Sequence, residues 1–239
     1  MRRRPVAKKT RQQAKPRPPL SKERVLHAAI TLADEIGIAS LSMRKLGQEL
    51  GVEAMSLYKH VANKDDVLDG IVDIVASRIE VPFIGGDWKK AMRQRAISAH
   101  EVLLRHPWAT MLIVSRANVG PAMLRYVDAT IGCLRKAGFP YAMADHAWNA
   151  IDSYVYGFTL QKLNFPFDPA AYAEVAKTFL PRIPADEYPW LNGLSRQVID
   201  GHHDGLHDLE LGLDLILDGL ERLPRHPVGG KPRGRAPPA

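Results

Sequence analysis

The chain has 239 residues, 46% of them hydrophobic and 25% charged, so it can bury one or two cores and is not disordered throughout. No apolar run approaches the roughly 20 residues that cross a bilayer, and the start of the chain lacks the apolar segment of a secretion signal. Its one cysteine, Cys133, excludes an internal disulfide and a Cys-x-x-Cys zinc site. We therefore expect a cytoplasmic protein with no membrane partner.

The net charge of +7 is concentrated at the two ends of the chain. Residues 1–19 contain eight lysines and arginines and no acid, and residues 224–239 contain four and no acid. Both segments are rich in proline, so we predict a disordered basic arm and a disordered basic tail around a folded body. An arm of this kind either binds phosphate groups or serves solubility, and both alternatives stay open.

The apolar spacing of residues 20–82 predicts four helices in succession. Ser21, Ser42 and Asn63 are residue types that cap helix N-termini, and Gly37 and Gly51 are types that end helices. The predicted helices run from Ser21 to Gly37, from Ser42 to Leu50, from Met55 to Val61, and from Asn63 to near Val81-Pro82.

The rest of the body follows the same helical period, and no segment shows the sustained alternation of a strand. Residues 164–190 contain five prolines, which predicts a loop that encloses one helix. The predicted segments are Trp88–Arg105, 107–114, 121–138, Asp145–Leu163, Pro169–Phe179 inside that loop, and a final helix that ends near Leu223. The predicted fold class is therefore all-α.

The final helix has the clearest periodicity in the chain. Its apolar residues step alternately by three and four positions: Leu206, Leu209, Leu213, Ile216, Leu220 and Leu223. Leu211, Leu215 and Leu217 extend the apolar surface to a second face. The pattern favours a dimer interface along this helix, and ordinary core packing is the alternative.

Residues 43–62 have the spacing of a helix-turn-helix. Gly47 supplies the small residue at which two crossing helices touch, and Gly51 can adopt the positive φ of the turn. The shared core is predicted from Leu46, Leu50, Val52, Leu57 and Val61. The exposed side of the second helix would then carry residues that suit the DNA major groove: Ala54, Met55, Ser56, Tyr58, Lys59 and His60.

Residues 41–64, LSMRKLGQELGVEAMSLYKHVANK, resemble the DNA-binding segment of the tetracycline-repressor family. Two further stretches resemble that family's C-terminal domain: His106-Pro107-Trp108 to Gly138-Phe139, and LGLDLILDGLERL at residues 211–223. The resemblance covers about residues 20–223. It implies a three-helix DNA-binding domain with a helix-turn-helix at residues 20–66, joined to a helical effector-binding and dimerisation domain at residues 67–223.

The resemblance also implies roles for individual residues. The positions that match DNA-contacting residues of the family are Arg44, Ala54, Met55, Ser56, Tyr58, Lys59, His60 and Lys64. Among them, Tyr58 and Lys64 match positions that hold the phosphate backbone. Ala54 and Met55 stand where the tetracycline repressor itself has glutamine and proline. Because alanine lacks the amide that pairs with adenine, we expect a different operator.

In this family the C-terminal domain pairs through its last helices as a four-helix bundle and holds a small ligand. The implied interface residues are Trp148, Ile151, Val155, Leu209, Leu213, Ile216 and Leu220, and the implied pocket residues are Arg95, Ile113, Asn118, Val127, Ile131, Trp148 and Gln161. Ile113 and Gln161 fall at the family's metal-binding histidine and glutamate, and neither is a good Mg²⁺ ligand. We therefore expect no metal or cofactor and a mostly apolar pocket, with a filled core as the alternative.

Two other functions fit parts of the sequence. His202, His203 and His207 could hold a metal for hydrolysis, although the glycines among them favour a loop. The basic tails could also bind nucleic acid without sequence preference. The hypothesis that accounts for most residues is a homodimeric repressor, not an enzyme, which binds a palindromic operator in nucleoid DNA and leaves it when a small-molecule effector binds.

Overall fold

A computed structural model describes residues 19–223, and the regular secondary structure in this range is entirely helical. The predicted arm and tail, at residues 1–19 and 224–239, lie outside the described residues except for Pro19. The α-helices are α1 (Lys22–Ile36), α2 (Met43–Leu50), α3 (Ala54–Leu57), α4 (Lys64–Ala76), α5 (Trp88–Arg105), α6 (Pro107–Ser115), α7 (Pro121–Lys136), α8 (Tyr141–Leu163), α9 (Tyr172–Phe179), α10 (Pro189–Ile199) and α11 (Leu209–Glu221). The predicted all-α fold class is confirmed.

The predicted helix starts in the first part of the chain are confirmed by their caps. The Ser21 hydroxyl accepts a hydrogen bond from the Arg24 amide, and the Ser42 hydroxyl accepts one from the Lys45 amide, both at 3.2 Å. The Asn63 side chain accepts from the Asp66 amide at 2.8 Å. Each bond satisfies an amide that has no partner within its own helix, and so fixes where the helix begins.

Two of the early helices are shorter than the sequence pattern predicts. The third helix, α3, ends at Leu57 instead of Val61, and the following residues form a turn in which the Val61 amide donates to the Leu57 carbonyl. Val61 is buried at the end of this turn. The next helix, α4, ends at Ala76 instead of near Val81-Pro82. There the Ser77 hydroxyl donates to the Ile74 carbonyl at 2.7 Å, a bond that competes with the helical pattern.

The predicted loop at residues 164–190 ends in a helix that its prolines do not exclude. Pro189 is the first residue of α10, a helix that the sequence analysis missed. Proline suits the first helical turn because the amide it lacks would have no partner there. The histidines that follow α10 lie in a loop, and the Asp208 carboxylate caps α11 by accepting from the Glu210 amide at 2.8 Å. Leu206 and Leu223 therefore lie outside α11, and the apolar seam is shorter than predicted.

The two halves of the body share one helix. Val67, Ile71 and Val75 of α4 are buried, and α4 packs against α1, α6 and α7. A second connection joins α1 to the start of α6, where the Trp108 indole N–H donates to the Asp34 carboxylate at 2.6 Å. The domain boundary predicted between residues 66 and 67 thus falls inside a continuous helix.

The folded subunit itself buries much of the predicted dimer interface. Leu209, Leu213 and Leu220 of α11 are buried against α5 and α8 of the same chain, together with Leu217. Ile151 and Val155 of α8 are buried in the same way, and Trp148 and Ile216 are half-buried against this core. Core packing, the alternative considered for this pattern, accounts for these residues.

The opposite face of α11 is exposed and carries Leu211 and Leu215, each 68% exposed. Two ion pairs with α5 flank this face: Arg93 contacts Asp214 at 2.8 Å, and Lys89 contacts Asp218 at 2.5 Å. The apolar surface of α11 that is available to another molecule is therefore the Leu211–Leu215 face.

No helix of residues 19–223 combines the length and apolar character needed to cross a membrane.

The two faces of α11 predict opposite responses to the same substitution. Leu213 is 0% exposed, so Leu213→Ala should lower the free energy of unfolding by about 2–5 kcal/mol. Leu215→Ala should change the stability of the folded subunit by less than about 0.5 kcal/mol. Urea denaturation measured across a range of protein concentrations separates these effects from any contribution of assembly. Equal losses in both variants would contradict the assigned orientation.

Candidate DNA-binding surface and effector cavity

The turn between α2 and α3 depends on two glycines. A methyl group at Gly47 would lie 2.9 Å from the Val52 carbonyl oxygen and 3.1 Å from the Ala54 nitrogen, so the two helices cross where only glycine fits. Gly51 has φ 66° and ψ 38°, the left-handed conformation that other residues rarely adopt. The predicted helix-turn-helix geometry is present at both positions.

The outward side of this motif has the side chains that the sequence predicted. Met55 is 74% exposed, Tyr58 and Lys59 are also exposed, and Leu57 faces the core. Ala54, Ser56 and His60 are half-buried at the edges of the same surface. All six predicted residues therefore lie on α3 and the turn that follows it, and three of them are exposed.

Cationic side chains surround this segment. Arg44 at the start of α2, Lys59 after α3 and Lys64 at the start of α4 are all exposed. Within residues 19–223 none of these three forms an ion pair or a side-chain hydrogen bond, so each is available to a phosphate group. By contrast, Lys22 binds Asp66 at 2.8 Å, and this hydrogen bond lowers the pKa of Asp66 below its usual range. That pair fastens α1 to α4.

A cavity of about 320 Å³ lies between α6, α7 and α8. Its walls are Ile113, Val114, Asn118, Met123, Tyr126, Val127, Trp148, Asn149, Asp152, Ser153 and Tyr156. Four of the seven predicted pocket residues line it: Ile113, Asn118, Val127 and Trp148. The prediction of a mostly apolar cavity with a few polar groups therefore has a counterpart in the fold.

The other three predicted pocket residues do not line this cavity. Arg95 lies behind its wall, and Ile131 faces elsewhere on α7. Gln161 is exposed and borders a separate groove of about 790 Å³ between the end of α8 and the loop before α11. Positions matched by sequence alone need not share one cavity, because helix length and packing decide which side chains face it.

The floor of the cavity is a buried polar network that the sequence analysis missed. Arg95, 0% exposed, donates from Nη2 to Asp152 Oδ1 at 2.6 Å and from Nη1 to the Tyr126 hydroxyl. Asp152 Oδ2 accepts from the Trp148 indole at 2.6 Å and from the Tyr156 hydroxyl at 3.2 Å. One sequence signal was present: Asp152 is a charged residue on the apolar side of α8.

The network leaves specific groups for a ligand. Burial raises the pKa of Tyr126, and burial with the negative charge of Asp152 raises that of Tyr156, so both remain neutral phenols. Tyr126 accepts from Arg95, which leaves its own hydrogen free to donate. The Asn118 side-chain oxygen has no hydrogen-bond partner within residues 19–223. The cavity thus has the Tyr126 hydroxyl and the Asn118 side chain in its wall, and the exposed polar side chains of Asn149 and Ser153 at its rim.

The metal-site alternative has no support in the described part of the chain. No group of three or more His, Cys, Asp or Glu residues in that part could hold a metal ion. His202, His203 and His207 are exposed in the loop between α10 and α11 and are not on one helical face.

The buried ion pair predicts a large effect from removing one partner. Asp152→Ala leaves the Arg95 charge buried and unpaired, so the free energy of unfolding should fall by about 3–5 kcal/mol. Replacing both residues, Arg95→Met with Asp152→Leu, should recover most of this loss because no isolated charge remains. Denaturation curves measure both changes, with Ser153→Ala on the exposed rim as the control. An Asp152→Ala variant as stable as the wild type would contradict the assignment.

Comparisons with known proteins agree with this geometry. Residues 25–71 match the family described as "Bacterial regulatory proteins, tetR family". Residues 83–223 match "Tetracyclin repressor-like, C-terminal domain", which covers the cavity and α11.

Individual relatives extend the match over most of the chain. The HTH-type transcriptional repressor DrrR1 of Streptomyces coeruleorubidus is 32% identical over 220 residues, which cover 87% of this chain and 80% of that protein. An HTH-type transcriptional regulator of Saccharopolyspora erythraea is 37% identical over 146 residues, 61% of this chain and 62% of that protein. The structure is similar to that of the Streptomyces coelicolor TetR family protein ActR in complex with actinorhodin, with a TM-score of 0.72, 30% identity, and coverage of 85% and 98% of the two chains. The chain therefore belongs to the tetracycline-repressor (TetR) family and is a DNA-binding transcriptional regulator, not an enzyme.

Proposed function

We propose that the protein is a homodimeric repressor that binds a palindromic operator in the cytoplasm and is released from it by a small-molecule effector. The observation that carries this proposal is the shared helix α4, which begins at the DNA-binding surface and packs against the helices around the cavity. A molecule in the cavity therefore has a direct physical route to the recognition surface.

On the DNA side, the proposal assigns base contacts to the outward face of α3 and backbone contacts to the residues around it. Met55 and Lys59 are exposed, and Ser56 and His60 are half-buried on the same segment. Tyr58 and Lys64 would hold the phosphate backbone, together with Arg44 at the start of α2. The Ala54 side chain is a methyl group, so it would make only apolar contacts with the bases and no hydrogen bond.

On the effector side, the chemistry of the cavity favours a mostly apolar molecule with at least one hydrogen-bond acceptor and one donor. The acceptor would face the Tyr126 hydroxyl and the donor would face the Asn118 oxygen. Ile113 and the absence of a carboxylate at residue 161 argue against a metal-chelated effector. The structural relative ActR has been solved in complex with actinorhodin, which supports a small-molecule effector for this protein.

The dimer would form on surfaces that the folded subunit leaves apolar and exposed. One is the Leu211–Leu215 face of α11. A second is α10, on which Trp190 is 89% exposed and Leu191 and Leu194 are about half exposed. Burial of such surface is what drives stable association. Two recognition segments related by a two-fold axis would then read half-sites about 34–36 Å apart.

Selection of duplexes from a random library by the purified full-length protein tests the proposal. A palindrome with half-sites about one helical turn apart is expected. Retention of DNA with no enriched sequence would instead support non-specific binding through the basic tails. If no DNA is retained, the proposed function is contradicted. Compounds that release the selected duplex would then identify the effector class, since a ligand must prefer the DNA-incompetent state to act.

The two kinds of DNA contact predict different mutant behaviour. Lys64→Ala should weaken binding to all duplexes alike and reduce the salt slope of the affinity by about one, because one phosphate contact is lost. Lys59→Ala and His60→Ala should change the preferred bases. Binding titrations at several salt concentrations, with the selected operator and its single-base variants, measure both effects. A Lys64→Ala variant with changed base preference would contradict the assignment of that residue.

The exposed face of α11 predicts the residues that hold the dimer. Leu211→Glu with Leu215→Glu should give monomers, because two charges would be buried at the interface, and operator affinity should fall with the loss of two-site binding. Analytical ultracentrifugation and operator titration provide the measurements. Leu124→Glu, at an exposed leucine of α7, is the matched control. A double variant that remains dimeric would show that the interface lies elsewhere.

A further inference from the structure

Helix α7 begins without a cap of its own. Residue 120 is a glycine, which has no side chain to accept a hydrogen bond, and Pro121 has no amide hydrogen. The first free amides of the helix are therefore those of Ala122 and Met123. Helices that begin in this way need an acceptor from another part of the chain.

Asp73 of α4 supplies that acceptor. Its Oδ1 accepts from the Ala122 amide and from the Met123 amide, both at 2.9 Å, and Oδ2 lies 3.2 Å from the Ala122 nitrogen. Aspartate inside a helix is unfavourable because it competes for backbone groups, yet Asp73 lies in the second half of α4. A carboxylate at a helix N-terminus also interacts favourably with the helix dipole.

This cap joins the two functional regions of the molecule. On α7, Met123, Tyr126 and Val127 line the effector cavity within two turns of the capped amides. On α4, Asp73 lies nine residues beyond Lys64, roughly 14 Å along a rigid helix from the DNA-binding surface. A displacement of the start of α7 therefore acts on α4 through a direct hydrogen-bonded contact.

A second contact between these regions is weaker. Arg116, in the segment between α6 and α7, binds Asp69 at 2.7 Å and Asp65 at 3.1 Å. Both carboxylates are largely exposed, and exposed ion pairs contribute little. Asp73 is half-buried, and hydrogen bonds from main-chain amides to a carboxylate are stronger than those between neutral groups.

We propose that Asp73 is a positioning residue that couples the effector cavity to the DNA-binding surface by capping α7 from α4. The inference rests on the proposed function, since it describes how effector binding would release the operator. The capped arrangement is the one that binds DNA, and an effector that moves the start of α7 breaks the cap. By linkage, operator binding must strengthen the same cap.

Gly120 provides an independent way to break this cap. A methyl group at residue 120 would lie 2.3 Å from Asp73 Oδ1, so the carboxylate would have to move away. The backbone at Gly120 has φ −65° and ψ 153°, which any residue adopts without strain. The methyl group would also lie 2.8 Å from the Asp73 Cβ, so Gly120→Ala should displace the carboxylate and move the start of α7 slightly away from α4.

Hydrogen exchange of the full-length protein, with and without the operator duplex obtained by selection, tests the inference. In the wild type, operator binding should slow exchange at residues 122 and 123 by about tenfold, as well as at residues 54–60. In Asp73→Ala and in Gly120→Ala, the slowing at 54–60 should persist and the slowing at 122 and 123 should disappear. Asp73→Asn should retain part of it because asparagine also caps helices. Asp128→Ala, an exposed acid on the same helix, is the matched control.

Operator titrations give a second measurement. Asp73→Ala and Gly120→Ala should each weaken operator binding by up to about tenfold. The double variant should lose less than the sum of the two single losses, because both substitutions break the same cap. Additive losses would overturn the inference, as would unchanged or faster exchange at residues 122 and 123 when the wild type binds DNA. A wild type that binds no selected duplex would refute the proposed function itself, and the inference with it.

Discussion

The structure depends on the burial of one helix that belongs to both halves of the molecule. Val67, Ile71 and Val75 of α4 form a continuous apolar stripe that packs on α1 on one side and on α6 and α7 on the other. Because this stripe is shared, the helix-turn-helix and the larger helical bundle have one core and not two. Any rearrangement of the bundle around α4 therefore changes the position of the DNA-binding surface, which is the physical requirement for a ligand-responsive regulator.

Polar groups occupy the floor of the effector cavity. Arg95 and Asp152 are buried as an ion pair, and the second carboxylate oxygen of Asp152 accepts hydrogen bonds from Trp148 and Tyr156. The network is not fully satisfied: Nη1 and Nη2 of Arg95 are bonded, whereas its buried Nε has no hydrogen-bond partner within residues 19–223. The same network distinguishes ligands, because a molecule that leaves the remaining donor and acceptor unpaired carries the cost of their desolvation.

Helix α11 has one apolar face inside the subunit and one outside. Its acidic residues pair with Arg93 and Lys89 of α5, and the Leu211–Leu215 face is exposed. These ion pairs are partly exposed and contribute little to stability by themselves. The burial of Leu213 and Leu217, each 0% exposed, contributes more and decides which of two apolar faces of the helix lies inside the subunit. The heptad spacing alone is compatible with either choice.

The sequence by itself determined features that depend on neighbouring residues. The caps at Ser21, Ser42 and Asn63, the glycine turn at Gly47 and Gly51, and the outward side of α3 were all predicted, because hydrogen bonds within three or four residues and φ/ψ preferences fix them. Only the tertiary structure decided which face of α11 is exposed, that Arg95 pairs with a carboxylate 57 residues away, and that α7 is capped from α4. These contacts join distant residues, and their geometry depends on helix lengths and packing that no local pattern contains.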